Sequence, residues 1–168
     1  MIISLIGFMG TGKSTVGKYL AEKLDYQFID TDSEIENIAA KDISQIFAES
    51  GEEYFRKIES IVLEKLIKQN NNIVLSTGGG IVISANNRKI LENKTRAFLL
   101  KASPEEIYQR IKDEEHRPLL MVDDPLSGIK EMLNVRSDFY DFFKTKIQTD
   151  GKSVEEIVEC IMKRLEDE

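Results

Sequence analysis

Short apolar runs alternate along this chain with stretches whose apolar residues recur every three or four positions. The runs at 2–6, 27–29, 73–76, 96–100 and 145–148 read as strand-like. The periodic stretches near 13–24, 33–40, 43–49, 52–69, 84–92, 104–113, 126–143 and 153–166 predict helices. Val16, Leu20 and Leu24 share one face of the first helix, and Phe55, Ile58, Val62 and Leu66 share one face of the fourth. Strands taking turns with helices predict a parallel sheet covered on both faces, a three-layer α/β architecture. In such a sheet, ligands bind at the carboxyl ends of the strands. No repeat, low-complexity tract or linker interrupts the pattern, so residues 1–168 are expected to form one domain.

Composition narrows the function more than the fold. The 168 residues are 41% hydrophobic and 32% charged, which suits a soluble domain with an ample core. A net charge of −7, from 23 basic and 30 acidic residues, argues against a nucleic-acid surface. A single cysteine, Cys160, excludes an internal disulfide and lies among apolar neighbours that favour a packing role. The apolar start is too short for a signal peptide, and no apolar stretch approaches the ~20 residues of a membrane span. The expectation is a cytoplasmic protein without a membrane partner.

Chemistry enters with Gly7 to Ser14, which read G-F-M-G-T-G-K-S and fit G-x-x-x-x-G-K-[ST] between the first strand and the first helix. Glycines let the backbone curl around an anion with N–H groups inward, and the helix N-terminus adds partial positive charge. Lys13 can reach the outer phosphates of a nucleotide, and the Ser14 hydroxyl can ligate Mg²⁺. The second strand ends in Asp30-Thr31-Asp32, two carboxylates near the ligand edge. If the run is extended, both face the same way. If it starts a helix, Asp32 or Thr31 serves as N-cap. The third strand runs into Ser76-Thr77-Gly78-Gly79-Gly80. Three glycines in a row cost backbone entropy, and close approach of a ligand is one reason for them, a flexible turn another. No acidic residue ends that strand, which disfavours an ATPase or motor.

The stretch E-E-H-R-P-L-L-M-V-D-D-P, from Glu114 to Pro125, places Arg117 before an apolar tip and has the look of a lid. His116, the only histidine, reads as solvated beside Arg117. Arg56, Arg110, Arg136 and Lys152 are each unremarkable alone; Arg56 in particular can be a surface partner of Glu52, Glu53 or Glu59.

Together these pieces resemble the shikimate kinase family across nearly the whole chain: G-F-M-G-T-G-K-S-T, D-T-D-S-E-I-E, I-F-A-E-S-G-E-E-Y-F-R-K-I-E, S-T-G-G-G, R-P-L-L and R-S-D-F-Y, in that order. The resemblance implies a five-stranded sheet in the order 2-3-1-4-5, an acceptor-binding segment at about 31–60 and a mobile lid at about 113–125. It implies ATP-dependent phosphorylation of the 3-hydroxyl of shikimate by a monomer that uses Mg²⁺. Gly10, Thr11, Gly12, Lys13, Ser14 and Thr15 would hold the ATP phosphates, with Ser14 on the metal and Asp30 supporting it through water. Asp32 would bind the acceptor hydroxyls, Arg56 and Arg136 its carboxylate, and the Gly78, Gly79 and Gly80 backbone would complete the pocket. Arg117 would descend onto the phosphates; Arg110 and Lys152 would flank the adenine. Lys13, Asp32 and Arg117 would be the catalytic set.

The sequence departs from the family pattern at Phe8, where proline is common, at Lys41, often glycine, and at Val154, where some members set a proline against adenine. Rival readings are a kinase for another sugar acid or a nucleotide, a GTPase, and a nucleotide-binding regulatory module. The nearest thing to a GTPase base motif, Asn93-Lys94-Thr95-Arg96, lacks the aspartate.

Overall fold

A computed structural model describes residues 1–113 and 123–167. Its five strands are β1 (Ile2–Ile6), β2 (Gln27–Asp30), β3 (Ile73–Ser76), β4 (Arg96–Lys101) and β5 (Lys146–Gln148). All pair in parallel, in the order β2-β3-β1-β4-β5. The helices are α1 (Lys13–Leu24), α2 (Thr31–Ala39), α3 (Ile43–Gln69), α4 (Ala85–Lys94), α5 (Pro104–Ile111), α6 (Pro125–Val135), α7 (Ser137–Asp141) and α8 (Val154–Glu166).

Because neighbouring side chains on a strand face opposite ways, the sheet feeds two cores. Ile3, Leu5, Val74, Phe98, Leu100 and Ile147 pack under α1 and α8 with Val16, Leu20, Ile157 and Ile161. Ile6, Ile73, Leu75 and Leu99 face the other layer, with Phe55, Leu63, Leu91 and Ile107. Cys160 is half-buried against the first of these cores, as its neighbours foretell. Register then sets the ligand edge: Ser76 lies opposite both Leu5 and Asp30, so the ends of β1, β2 and β3 come level.

Two boundaries differ from the sequence pattern. The expected helix at 126–143 is two helices, because Arg136 leaves helical geometry at φ −99°, ψ 2°. Its carbonyl still accepts from the Phe139 and Tyr140 N–H groups, so the chain turns there and restarts as α7. The helix expected from 33 begins at Thr31, with Asp30 as its cap: the Asp30 carboxylate accepts from the Asp32 N–H at 3.0 Å. Neither Thr31 nor Asp32 is the N-cap, and Asp32 is not in the strand. The break between the expected helices 43–49 and 52–69 is present inside α3, at Gly51, whose φ of 79° suits glycine. The central part of the expected lid, with Arg117 and His116, lies outside the described residues. No described helix is long and apolar enough to cross a membrane.

Candidate active site

The loop from β1 to α1 folds around the carbonyl of Phe8, its second residue. The Phe8 oxygen accepts from the Thr11 hydroxyl at 2.7 Å, the Thr11 N–H at 3.3 Å and the Lys13 ammonium at 2.8 Å. Gly10 and Gly12 hold φ of 74° and 91°, conformations a side chain resists. Packing also requires glycine at position 10, where a Cβ would lie 2.8 Å from the Ile111 Cγ2. The loop backbone thereby opens onto a cavity of about 270 Å³. Gly10, Gly12, Lys13, Ser14 and Thr15 line one end of it, and Asp30, Asp32, Ser76, Thr77, Gly78 and Gly79 the other. Thr11 is among the expected phosphate-binding residues, but its side chain is buried and braces the loop.

At the mouth of α1, the Ser14 hydroxyl donates to the Asp30 carboxylate at 3.1 Å and stands 3.2 Å from the Ser76 hydroxyl. This oxygen set suits Mg²⁺, which keeps most of its waters and takes one or two protein oxygens beside phosphate. Among the described residues, no group of three or more acidic, histidine or cysteine side chains is placed to hold a metal ion. Such a group would suit a metal held by protein alone.

Asp32 sits in the first turn of α2 with one carboxylate oxygen, Oδ1, buried and, among the described residues, without a hydrogen-bond partner. Burial pushes its carboxyl up to about 6, the Asp30 charge adds to the rise, and the Lys13 charge opposes it. A buried acceptor with nothing to accept is costly unless a ligand supplies the donor.

Beyond Asp32 the two expected guanidiniums converge on the glycine run. Arg56 donates through Nη1 to both Glu59 oxygens, at 3.1 and 2.9 Å, and through Nη2 and Nε to Glu52 at 3.1 and 3.3 Å. Arg136 donates through Nη1 to the Gly79 carbonyl at 3.3 Å and lies 6.0 Å from the Phe8 ring centroid. None of the three glycines has a positive φ, so a tight turn does not explain them. A Cβ at Gly78 would come 2.6 Å from Asp32 Oδ1, and one at Gly80 would come 2.6 Å from the Arg56 Cζ. The close approach inferred from sequence is real, but at these two positions it is made by the site's own charged side chains. Gly80 backs Arg56 and is absent from the cavity lining, whereas Gly78 and Gly79 line it.

Arg110 is tied to the phosphate loop, donating to the Gly10 carbonyl at 3.3 Å and to the Thr149 hydroxyl and carbonyl at 3.1 and 3.0 Å. Lys152 follows on the same loop, its ammonium on the Gln148 carbonyl at 2.9 Å.

Two contributors escaped the sequence reading as site residues. Glu59 is 1% exposed, and burial pushes its carboxyl up to about 7 against the pull of Arg56. It stands in register with Phe55, Val62 and Leu66 on the apolar stripe of α3, and a charge on such a stripe was the available signal. Tyr140, also buried, donates its hydroxyl to the Gly79 carbonyl at 2.8 Å.

A parallel sheet in this order, a phosphate-binding loop and an acidic acceptor pocket beside it define a P-loop kinase of small molecules. A family model described as shikimate kinase matches residues 9–166. The chain is 42% identical over 161 residues to a shikimate kinase of Caldanaerobacter subterraneus subsp. tengcongensis, covering 96% of this chain and 94% of the relative. It is 43% identical over 164 residues to one of Thermodesulfovibrio yellowstonii, covering 98% and 94%. The solved shikimate kinase of Acinetobacter baumannii in complex with shikimate superposes with a TM-score of 0.92 at 34% identity, covering 99% of this chain and 93% of that one. A gluconokinase of Sinorhizobium meliloti shares the fold alone, with a TM-score of 0.61 at 18% identity over 97% and 91% of the two chains. The chain belongs to the shikimate kinase family.

Proposed function

We propose that this chain transfers the γ-phosphoryl group of ATP to the 3-hydroxyl of shikimate, giving shikimate 3-phosphate and ADP on the route to chorismate and the aromatic amino acids. The observation that carries the reading is Asp32: it lines the cavity that the phosphate loop also lines, and its carboxylate has a buried oxygen, Oδ1, with no hydrogen-bond partner among the described residues. A hydroxyl donating to it would sit in line with a phosphate held by the loop amides. The new bond joins the acceptor oxygen to phosphorus as the bond to the ADP oxygen breaks, and the hydroxyl proton passes to solvent water. Asp32 orients the hydroxyl; it need not be a strong base, because phosphoryl transfer is loose and depends on positioning and charge.

The remaining roles are assigned as follows. Gly10, Thr11, Gly12, Ser14 and Thr15 cradle the phosphates, and Lys13 moves from the Phe8 carbonyl to neutralise them. Mg²⁺ would be held by Ser14, with Asp30 acting through water, and when bound supplies charge neutralisation on the phosphate oxygens. Arg56 and Arg136 present paired donors to the planar carboxylate, with the backbone of Gly78, Gly79 and Gly80 closing that end. Arg110 and Lys152 flank the base. Arg117, placed by sequence alone, completes the catalytic set with Lys13 and Asp32.

The reading takes the enzyme as a monomer of one domain, with 31–60 as its acceptor segment and 113–125 as its lid. Its use of ATP supports a cytoplasmic location. An ADP-release assay over shikimate, gluconate, nucleoside monophosphates and water tests the reading. Turnover is expected with shikimate, and activity with a nucleoside monophosphate alone would overturn it.

A further inference from the structure

The peptide groups of the glycine run are held in two different ways. The Gly78 carbonyl accepts from the Ile81 N–H at 3.1 Å and the Gly80 carbonyl from the Ile83 N–H at 3.0 Å, both within the local turn. The Gly79 carbonyl is held from outside, by the Tyr140 hydroxyl at 2.8 Å and by Arg136 Nη1 at 3.3 Å. Tyr140 is 6% exposed, so water does not compete for the bond. Burial also pushes its phenol up to about 12, which keeps the proton on oxygen and the group a donor. Among the described residues, the Gly80 N–H has no acceptor.

The peptide is trans, so its N–H points opposite to its C=O. Anchoring the Gly79 oxygen on α7 therefore sends the Gly80 N–H away from α7. Gly80 itself stands against the Arg56 guanidinium. Neither glycine has a side chain to hinder rotation of the peptide between them, so one orientation needs an external hold. Arg136 is a poor sole anchor, because its guanidinium is also the natural partner of a bound carboxylate. A phenol has no such competing attraction.

We propose that Tyr140 is a positioning residue of the acceptor site: its hydroxyl locks the Gly79–Gly80 peptide so that the Gly80 N–H stands beside the Arg56 fork as a fixed donor to the acceptor's carboxylate. The inference rests on the acceptor being the ring acid named above. It gives the neutral tyrosine of α7 a share in specificity for an acid, although it never touches the substrate.

Tyr140→Phe removes one oxygen and keeps the ring. Steady-state kinetics should show the KM for shikimate raised about five- to tenfold, the scale of one lost hydrogen bond, with kcat and the KM for ATP changed less than about twofold. Glycine-selective nitrogen labelling reads the peptide itself. In the wild type, shikimate should move the Gly80 amide proton downfield, and in Tyr140→Phe by less than half as much. An unchanged KM for shikimate, or an undiminished Gly80 shift, overturns the proposal. A wild-type chain inactive on shikimate overturns instead the functional reading beneath it.

Discussion

Glu59→Gln replaces one carboxylate oxygen with an amide and removes a titrating group from the acceptor end of the site. Glu59 is 1% exposed, and Arg56 Nη1 donates to both of its oxygens. Burial pushes its carboxyl from 4.5 up to about 7; Arg56 pulls it down and Asp32 pushes it further up. The folded chain thus holds this proton more tightly than the unfolded chain. The ionised carboxylate costs stability above pH 7, and the cost fades as pH falls towards 4.5. At about 1.4 kcal/mol per tenfold change in proton affinity, the full penalty is about 3 kcal/mol. Two-state linkage between pH 8 and pH 5 recovers about 2 to 3 kcal/mol of it. The wild type is therefore expected to gain that much on Glu59→Gln over this interval. Urea unfolding of both proteins at both pH values measures the difference. Asp32, also pushed up, to about 6, is present in both proteins and largely cancels. A gap between the two proteins that stays constant within about 0.5 kcal/mol would mean that Glu59 ionises as a solvated carboxylate, and would refute the burial account.

Asp32→Asn should lower kcat about 100-fold or more, because an amide orients the hydroxyl poorly and does not favour loss of its proton. ATP binding, followed by titration with a fluorescent nucleotide, should stay within about twofold. Gly80→Ala should raise the acceptor KM about tenfold without changing that for ATP, as a Cβ 2.6 Å from the Arg56 Cζ displaces the fork. The backbone there, at φ −92° and ψ −5°, suits any residue, so the effect is steric alone. Chelation of divalent cations should abolish ADP release and added Mg²⁺ should restore it; undiminished turnover would remove the metal role from Ser14 and Asp30.

Periodicity located all five strands because each lies between amphipathic stretches and buries at least one apolar side chain, although only β1, β3 and β4 are apolar runs buried on both faces. The phosphate loop was legible for a different reason: its chemistry is carried by the backbone, so the sequence need only mark the glycines and the lysine. Asp32 was found at the right place with the wrong local geometry. Asp30 and Asp32 are equally good caps by type, and the end of β2 at Asp30 decides which one caps α2. The break at Arg136 left no glycine or proline to announce it, so 126–143 read as continuous. Glu59 and Tyr140 act through Arg56 and Gly79, partners three residues away along one helix and 61 residues away along the chain. The second of these contacts exists only after the fold has brought α7 to the glycine run.

A chain of net charge −7 must hold two anions in one cleft under the proposed reaction. Described side chains at the site do little to change the balance: Lys13, Arg56 and Arg136 face Asp30, Asp32 and Glu59. Besides the Mg²⁺ and Arg117 proposed above, the attraction comes from fixed dipoles, the loop amides and the N-terminus of α1, and from the way each cation is shared. Arg56 shows how. Its Nη1 edge is committed to Glu59, a partner 1% exposed. Its Nη2 edge is paired with Glu52, which is 61% exposed and contributes at most about 1 kcal/mol. An incoming carboxylate would therefore displace the exposed partner and leave the buried one, gaining a preoriented fork at little cost. Glu59 aims the arginine, and the solvent-screened Glu52 keeps its outer face occupied without closing it to substrate.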